Sequence, residues 1–236
     1  MSIFTVHLVQ TSFSKAIMGI IRPPTPTGVE GLIHAEVMMG MTLGSPMWSA
    51  KRILPRQLVV FAQWRDEQAI DQFLSSHTLG RTLAGGWHVR MVYLRQWGDL
   101  DEFEIPANSE AIDDPRAPVV AVTLARMRMT QVPRFIRWGR PVEKQVRDDP
   151  HTTLALAATR LPRTVSTFSI WRTQTDMVKM VQGKAPVQRP ERHAKAMKER
   201  DRKDFHFQFT TLRFKPLSEH GTWQGRTSFI PPFTAE

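Results

Sequence analysis

Short segments in which apolar and polar residues alternate recur along the chain, and amphipathic segments lie between them. In the first half, alternation and β-type composition predict strands over residues 3–9, 31–39, 58–64 and 88–97. Ser12 or Ser14 can cap a helix that follows the first strand, and Asp66 can cap a helix that follows the third. The predicted order of elements is therefore βαββαβ.

The second half of the chain has the same predicted order. Strands are expected over residues 118–126, 152–158, 164–171 and 206–214. Thr130 is the expected cap of a long helix that runs to Arg147, with Pro133 in its first turn and Pro141 as the expected position of a kink. A second helix is expected after Thr173.

A sequence repeat links the two halves. The pattern Phe-x-x-Trp-Arg occurs at residues 61–65 and again at 168–172. After each Trp the apolar positions also agree, as Ile70 with Met177, Phe73 with Met180 and Leu74 with Val181. We infer two copies of one unit.

A βαββαβ unit forms a four-stranded antiparallel sheet with both helices on one face, which leaves the other face bare. We therefore expect an α+β fold in which the two bare sheets pack on each other, with a pocket between a sheet and its helices. The sheets could pair within one chain or between chains, so a homo-oligomer stays open. The expected organisation is a first unit over 1–98, an acidic linker over 99–116, a second unit over 117–215 and an irregular C-terminal arm over 216–236.

The chain has no cysteine, which excludes disulfides, cysteine-ligated metals and cysteine nucleophiles. A bound metal must then be held by His, carboxylate, Met or the single Tyr93. The N-terminus has no signal-peptide pattern and no stretch approaches about 18 apolar residues, so a cytoplasmic protein is expected.

The net charge of +10 is concentrated in one segment. Residues 179–203 contain nine basic and three acidic residues, a net of +6. Such a segment attracts phosphate, anionic lipid or an acidic redox partner, so peripheral membrane contact is one expected interaction. A solvated helix face that keeps the protein soluble is the alternative.

Several motifs of the second unit occur in the order of a known family. They are the run at 121–126, the run Thr-Phe-Ser-Ile-Trp-Arg at 167–172 with Asp176 and Met177, the run His-Ala-Lys-Ala-Met at 193–197, and Leu212-Arg213-Phe214. With these motifs the segment 121–214 resembles the spheroidene monooxygenase family, and residues 41–45 resemble it more weakly. Two elements differ from the family pattern: residues 205–208, where the family has an aromatic pair followed by two acids, and Trp223-Gln224-Gly225, which here follows the second unit.

The resemblance implies tandem ferredoxin-like units of the dimeric α/β-barrel type. It also implies a haem cofactor and oxygen insertion into a hydrophobic, carotenoid- or isoprenoid-like substrate. A ferredoxin-type protein is the electron donor expected for such a reaction.

The candidate site residues follow from the resemblance and from side-chain chemistry. His193 matches the family histidine and is the first candidate for the haem iron ligand, with Arg192 and Lys195 able to pair with haem propionates. Trp171 is a candidate cofactor contact, although plugging the helix–sheet interface is the structural alternative. The catalytic candidates are His206, as a second ligand or a hydrogen-bond donor, and Arg126. Strand alternation predicts that His206 and Gln208 share one face.

Three functions compete on this evidence. The first is a haem-dependent monooxygenase, and the second is a cofactor-free monooxygenase whose pocket alone orients substrate and oxygen. The third is a basic RNA-binding module, ranked last because no RNP-like aromatic run is present. Nucleotide-binding glycine loops, the Gly-x-Ser-x-Gly motif and zinc-type histidine spacings do not occur.

Overall fold

The computed structural model of the chain describes residues 2–46, 49, 51–107, 109 and 111–233. The first half contains β1 (Ile3–Gln10), α1 (Phe13–Ile21), β2 (Leu32–Met41), β3 (Ile53–Trp64), α2 (Glu67–Ser76), α3 (Thr78–Ala84) and β4 (Trp87–Asp99). The second half contains β5 (Val119–Met127), a 3-10 turn (Met129–Gln131), α4 (Val132–Asp148), β6 (Thr152–Arg160), β7 (Thr164–Trp171), α5 (Gln174–Val181), α6 (Arg192–Arg202) and β8 (His206–Gly221). Both halves follow the predicted order, with one additional helix in each.

Side-chain caps begin three of the helices, as the sequence predicts. The side chains of Ser12, Asp66 and Thr173 each accept a hydrogen bond from the backbone N–H three residues ahead. The long helix differs from its prediction, because Thr130 lies inside the 3-10 turn and α4 begins at Val132 without a side-chain cap. Pro141 lies within α4.

All eight strands form one closed barrel in the order β1-β3-β2-β6-β7-β5-β8-β4. Each half contributes the same local order, β4-β1-β3-β2 in the first and β8-β5-β7-β6 in the second, with antiparallel neighbours throughout. The two sheets also pair with each other at both edges, β2 with β6 and β4 with β8. The α+β prediction of two like units that bury their bare faces together is confirmed.

The barrel interior is an apolar core closed at both ends by chain segments. Alternate residues of every strand point inward, and they include Phe61, Val122 and Phe214. Leu100 and Phe103 pack on this core, and Trp223 and Phe229 pack on it as well. The core is thus covered by the linker and by the C-terminal arm.

The arm begins later than the sequence indicates. Strand β8 continues to Gly221 because it pairs with β4 over nearly all of its length, from Phe209 to Gly221. Residues 216–221 are therefore strand, and the irregular segment starts after them.

The helices lie on the outer face of the barrel, where the repeated residues pack as predicted. Trp64 packs with Ile70 and Phe73 in the first unit, and Trp171 packs with Met177 and Met180 in the second. The repeated Trp residues are thus buried in equivalent helix–sheet layers. Across the described residues, none of the helices has both the length and the apolarity required to span a bilayer.

Candidate functional site

A small cavity lies between the second sheet and helix α4. Its volume is about 50 Å³, and its walls are formed by the outer faces of β5, β6 and β7, the inner side of α4 and the start of β8. The lining residues are Met41, Thr123, Ala125, Phe135, Glu143, Ala157, Val165, Ser166, Thr167, His206 and Phe209. This cavity lies where the sequence predicts a pocket, between a sheet and its helices.

The cavity arises because the second unit carries smaller side chains than the first at equivalent positions. Strand pairing aligns the two units, since Ile3 opposes Trp64 on β3 as Val119 opposes Trp171 on β7. In this alignment Val9, Val37, Leu58 and Val60 of the first unit correspond to Ala125, Ala157, Val165 and Thr167 of the second. The larger residues belong to the continuous apolar layer of the first unit, whereas their smaller counterparts leave a gap under α4.

His206 is placed at this cavity by an irregularity at the start of β8. The pairing of β5 with β8 shifts between Arg126 opposite Gln208 and Met127 opposite His206. This bulge interrupts the simple alternation, so His206 lines the cavity together with Phe209 while Gln208 contacts Asp101 of the linker. The sequence-based prediction that His206 and Gln208 share one face is wrong for this reason.

The imidazole of His206 is buried in aromatic surroundings, with 3% of the residue exposed. Its ring lies 5.0 Å from the ring of Phe209 and 5.5 Å from that of Phe135. Among the described residues neither ring nitrogen has a hydrogen-bond partner, although Oδ1 of Asp204 lies 3.3 Å from Nδ1. The nearby carboxylate favours the proton on Nδ1 and leaves Nε2 as a free acceptor.

Burial lowers the pKa of His206 to about 4, with Arg200 acting in the same direction and Asp204 opposing it. The imidazole is therefore neutral at pH 7. A neutral, unpartnered ring nitrogen beside a cavity can accept a hydrogen bond or a proton from a bound molecule.

The carboxylate of Glu143 also lines the cavity, but its hydrogen-bonding capacity is already used. Oε2 accepts from the backbone N–H of Gly44 at 2.7 Å, and Oε1 accepts from Arg52 at 3.0 Å. These bonds tie α4 to the loop after β2. Glu143 therefore acts as an anchor of the helix rather than as a free base.

A second polar cluster lies inside the barrel, on the other side of the sheet. Glu36 projects inward from β2 and forms ion pairs with Arg126 and Arg160, and Arg126 also contacts Glu102 of the linker at 3.0 Å. Burial favours a higher pKa for Glu36, but hydrogen bonds from His34 and Arg126 and the two arginine charges hold its pKa below the ordinary value. The catalytic candidate Arg126 is thus an internal ion-pair partner and does not meet His206.

The four residues expected to hold a cofactor lie elsewhere. Nδ1 of His193 is 3.1 Å from the carbonyl oxygen of Val181, and His193 is not among the cavity-lining residues. Arg192 faces an outer groove, and Lys195 pairs with Glu191 one turn away at the surface. Nε1 of the buried Trp171 donates to its neighbour Ser169 at 2.9 Å. The structure does not bring these residues together around one space.

A haem does not fit the site as the chain is folded. Pockets that enclose ligands of this size have volumes of roughly 300–1,000 Å³, whereas the cavity at His206 measures about 50 Å³. A water molecule needs about 10–15 Å³ on this measure, so the cavity has room for a few waters or a molecule such as dioxygen. The described part of the chain also contains no group of three or more His, Cys, Asp or Glu placed to hold a metal ion.

Comparison with known proteins assigns no family to the chain. No family model matches the chain, and no curated protein matches it by sequence. Among solved structures, a proposed monooxygenase of Fusobacterium nucleatum subsp. nucleatum is similar over 93% of this chain and 94% of its own, with 8% identity and a TM-score of 0.40. A haem-degrading enzyme of Listeria monocytogenes is similar over 90% and 99%, with 8% identity and a TM-score of 0.31.

A mutant chlorite dismutase from Candidatus Nitrospira defluvii, solved with cyanide, is similar over 92% of this chain and 90% of its own, with 10% identity and a TM-score of 0.30. At these identities and scores the three likenesses assign no activity. The fold assignment rests on the strand order of the chain itself. The resemblance to the spheroidene monooxygenase family has no support beyond this barrel architecture.

Sequence reasoning missed two of the residues that shape these sites. Glu36 carries the one charge of the otherwise apolar segment 35–39, which is the usual mark of a buried ion pair, but its partners are 90 and 124 residues away. Glu143 lies among basic residues on α4, and nothing near it in the sequence indicates Arg52 or Gly44 as its partners.

Proposed function

We propose that this protein is an oxygenase-type enzyme that works without haem, with His206 as the proton acceptor at the cavity under α4. One observation carries the proposal: a neutral, buried imidazole, whose Nε2 has no hydrogen-bond partner among the described residues, forms part of the wall of an otherwise mainly apolar cavity. Leaving a buried polar atom unsatisfied costs about 1–3 kcal/mol, so such atoms concentrate where a ligand completes the bonding.

The chemistry of the site favours a substrate with an acidic C–H or O–H group on an apolar body. Transfer of that proton to His206 forms an imidazolium beside the substrate anion, and their mutual attraction offsets the burial that keeps the free imidazole neutral. The electron-rich anion can then be oxidised by dioxygen. For a CH₂ group the balance is R₂CH₂ + O₂ → R₂C=O + H₂O, so the substrate supplies all electrons and no external reductant is needed.

Entry of an apolar substrate requires α4 to move away from the sheet. The buried residues of α4 are the polar Glu143 and Gln145, whereas its apolar side chains Val132, Phe135 and Trp138 are only partly buried where they pack on the sheet. Water can replace the partners of polar anchors when a helix lifts. The cavity can therefore enlarge if these anchors and the partly buried contacts open together.

Anthrone is a suitable probe because its CH₂ group is acidified by two aryl rings and a carbonyl group across the ring. We expect the protein to accelerate dioxygen uptake with anthrone, measured with an oxygen electrode against buffer. His206→Gln should reduce the rate at least about tenfold, within the 10²–10⁴-fold range of general bases. His220→Gln, which changes an exposed histidine of the same strand, should leave the rate unchanged.

A second variant tests the cavity rather than the base. Ala157→Val restores the larger side chain that the first unit has at this position and fills the space beside His206. It should abolish anthrone-dependent uptake while preserving the circular dichroism spectrum. Uptake that is equal in wild type, His206→Gln and Ala157→Val would refute the proposal.

A haem-dependent monooxygenase is the alternative function, and it makes a different prediction. Its substrate would be carotenoid- or isoprenoid-like and its electron donor a ferredoxin-type protein. Haemin titration should then give a Soret band that shifts on binding and is lost in His193→Ala. We expect no such band, because His193 lies outside the cavity and its Nδ1 lies beside the carbonyl oxygen of Val181. A stoichiometric, His193-dependent band would replace the cofactor-free proposal with the haem enzyme.

A further inference from the structure

A separate groove lies on the outer side of the second unit, between α4 and the segment before α6. Its volume is about 470 Å³, several times that of the cavity under α4. The lining residues are Pro133, Ile136, Arg137, Arg140, Pro141, Lys144, Arg189 and Arg192. Five of these eight are cationic and none is acidic.

The helical repeat explains why the cations gather here. Pro133, Arg137, Arg140 and Lys144 follow one another at intervals of four, three and four residues, so they lie on one face of α4. The opposite wall is formed by Arg189, in the segment before α6, and by Arg192, the first residue of α6. Like charges from two elements are thus brought together across one groove.

None of these five cations has an ion-pair partner among the described residues. Outside the groove, Arg134 and Arg202 pair with Glu199, and Arg147 pairs with Asp148. The carboxylates at the groove margin are engaged in this way, Asp148 by Arg147 and Glu191 by Lys195. Asp148 and Glu191 offset only part of the repulsion among the five cations, so the groove attracts an anion.

The backbone at the groove supports a binding role. Arg189 has φ = 56°, in the left-handed region that a non-glycine residue adopts only at a cost. Such conformations are concentrated at ligand sites, where the surrounding structure holds them. Arg140 is fixed in place because its Nε donates to the carbonyl oxygen of Gly44 at 2.9 Å, which leaves its terminal nitrogens for a ligand.

We propose that this groove binds a phosphomonoester or diphosphate group attached to an apolar stem. Arginines recognise phosphate by paired N–H donors, and several cations around one site suit an anion of charge −2 or more. Between the cations, Ile136 and the two prolines provide an apolar floor on which a hydrocarbon stem can lie. The ligand chemistry is shared by soluble organic phosphates and by phospholipid headgroups.

Calorimetric titration of the full chain tests this proposal with three probes: inorganic pyrophosphate, dodecyl phosphate below its critical micelle concentration, and vesicles of phosphatidylcholine with and without phosphatidic acid. We expect dodecyl phosphate to bind at least about threefold more tightly than pyrophosphate, because it also covers the apolar floor. If vesicles bind only when they contain phosphatidic acid, and bind more tightly than dodecyl phosphate, the phosphate that the groove recognises is a lipid headgroup. If the soluble probes bind more tightly than the vesicles, the ligand is a soluble organic phosphate. Both outcomes support the proposal that the groove binds phosphate.

The variant Arg137→Gln/Arg189→Gln removes two exposed groove cations, one from each wall. It should weaken binding at least about tenfold. The matched control, Lys15→Gln/Arg22→Gln, removes the same charge from exposed positions of the first unit and should change affinity less than twofold. Equal losses in both variants would show unspecific attraction to a basic protein, and absence of binding by all probes would also overturn the proposal.

Discussion

Acidification to pH 5 is expected to destabilise the fold through two buried histidines, His88 and His206. Both are less than a tenth exposed, and burial is the main cause that lowers the pKa of each from 6.5 to about 4. The folded state therefore binds these protons less readily than the unfolded state. The stability that the neutral imidazoles contribute is fully present above pH 6.5 and is lost as the pH falls towards 4.

The magnitude follows from the two pKa values of each group. For a folded pKa of about 4 and an unfolded pKa of 6.5, proton linkage gives a loss of roughly 2 kcal/mol per histidine between pH 7.5 and pH 5. The two groups together should then lower the free energy of unfolding by roughly 4 kcal/mol, a large share of the 5–15 kcal/mol typical of a domain. The fully buried His7, whose pKa burial also lowers, adds to the same trend.

Urea denaturation followed by tryptophan fluorescence at pH 7.5, 6 and 5 measures this dependence. In His206→Gln the loss between pH 7.5 and pH 5 should be smaller than in wild type by roughly 2 kcal/mol, because the glutamine does not titrate. Proton NMR of the His206 ring should independently show no protonation down to about pH 5. An unchanged pH dependence in His206→Gln, or a ring that titrates near pH 6.5, would refute the assignment of a buried, unpartnered imidazole.

Three further predictions concern the barrel and its helices. Glu36→Gln leaves the buried Arg126 with Glu102 alone and the partly exposed Arg160 without its carboxylate, and it should lower the free energy of unfolding by about 3–5 kcal/mol. Arg95→Gln at a half-exposed pair should cost only about 0–1 kcal/mol, and urea denaturation of both variants checks the contrast. Phe229→Ala removes a buried ring of the C-terminal arm and should cost about 3–5 kcal/mol, measured as a lower urea midpoint. Gly80→Ala places a methyl group 1.8 Å from the carbonyl oxygen of Phe73, so α2 and α3 must separate, and the expected loss of about 1–3 kcal/mol is measurable by thermal denaturation.

The fold could be predicted from the sequence because its determinants are local and are repeated. The second Phe-x-x-Trp-Arg run confirmed the reading of the first, and capping residues such as Asp66 and Thr173 fixed helix starts within the chain itself. Two sheets with bare apolar faces have few ways to bury them, so closure into one barrel followed from the duplication.

The site could not be predicted in the same way, because it depends on contacts that no local pattern records. A shift of register at the start of β8 turns His206 towards the cavity, whereas alternation alone places His206 on the same face as Gln208. His193 matches the histidine of the family that the second unit resembles, yet its ring lies next to the backbone carbonyl of Val181. Residues whose roles depend on distant partners, such as Arg126 with Glu36, are identified only when the strands are paired in space.

The duplication also offers an internal standard for locating function. Both units have the same strand order, so their equivalent positions face equivalent packing requirements. The first unit meets them with a continuous apolar layer, whereas the second has smaller side chains at the same places and a cavity that is lined by the buried imidazole of His206. Packing requirements alone favour filling a cavity, because empty apolar volume costs stability. The first unit shows that this fold can fill the layer, so the gap in the second unit is best explained by a molecule that occupies it.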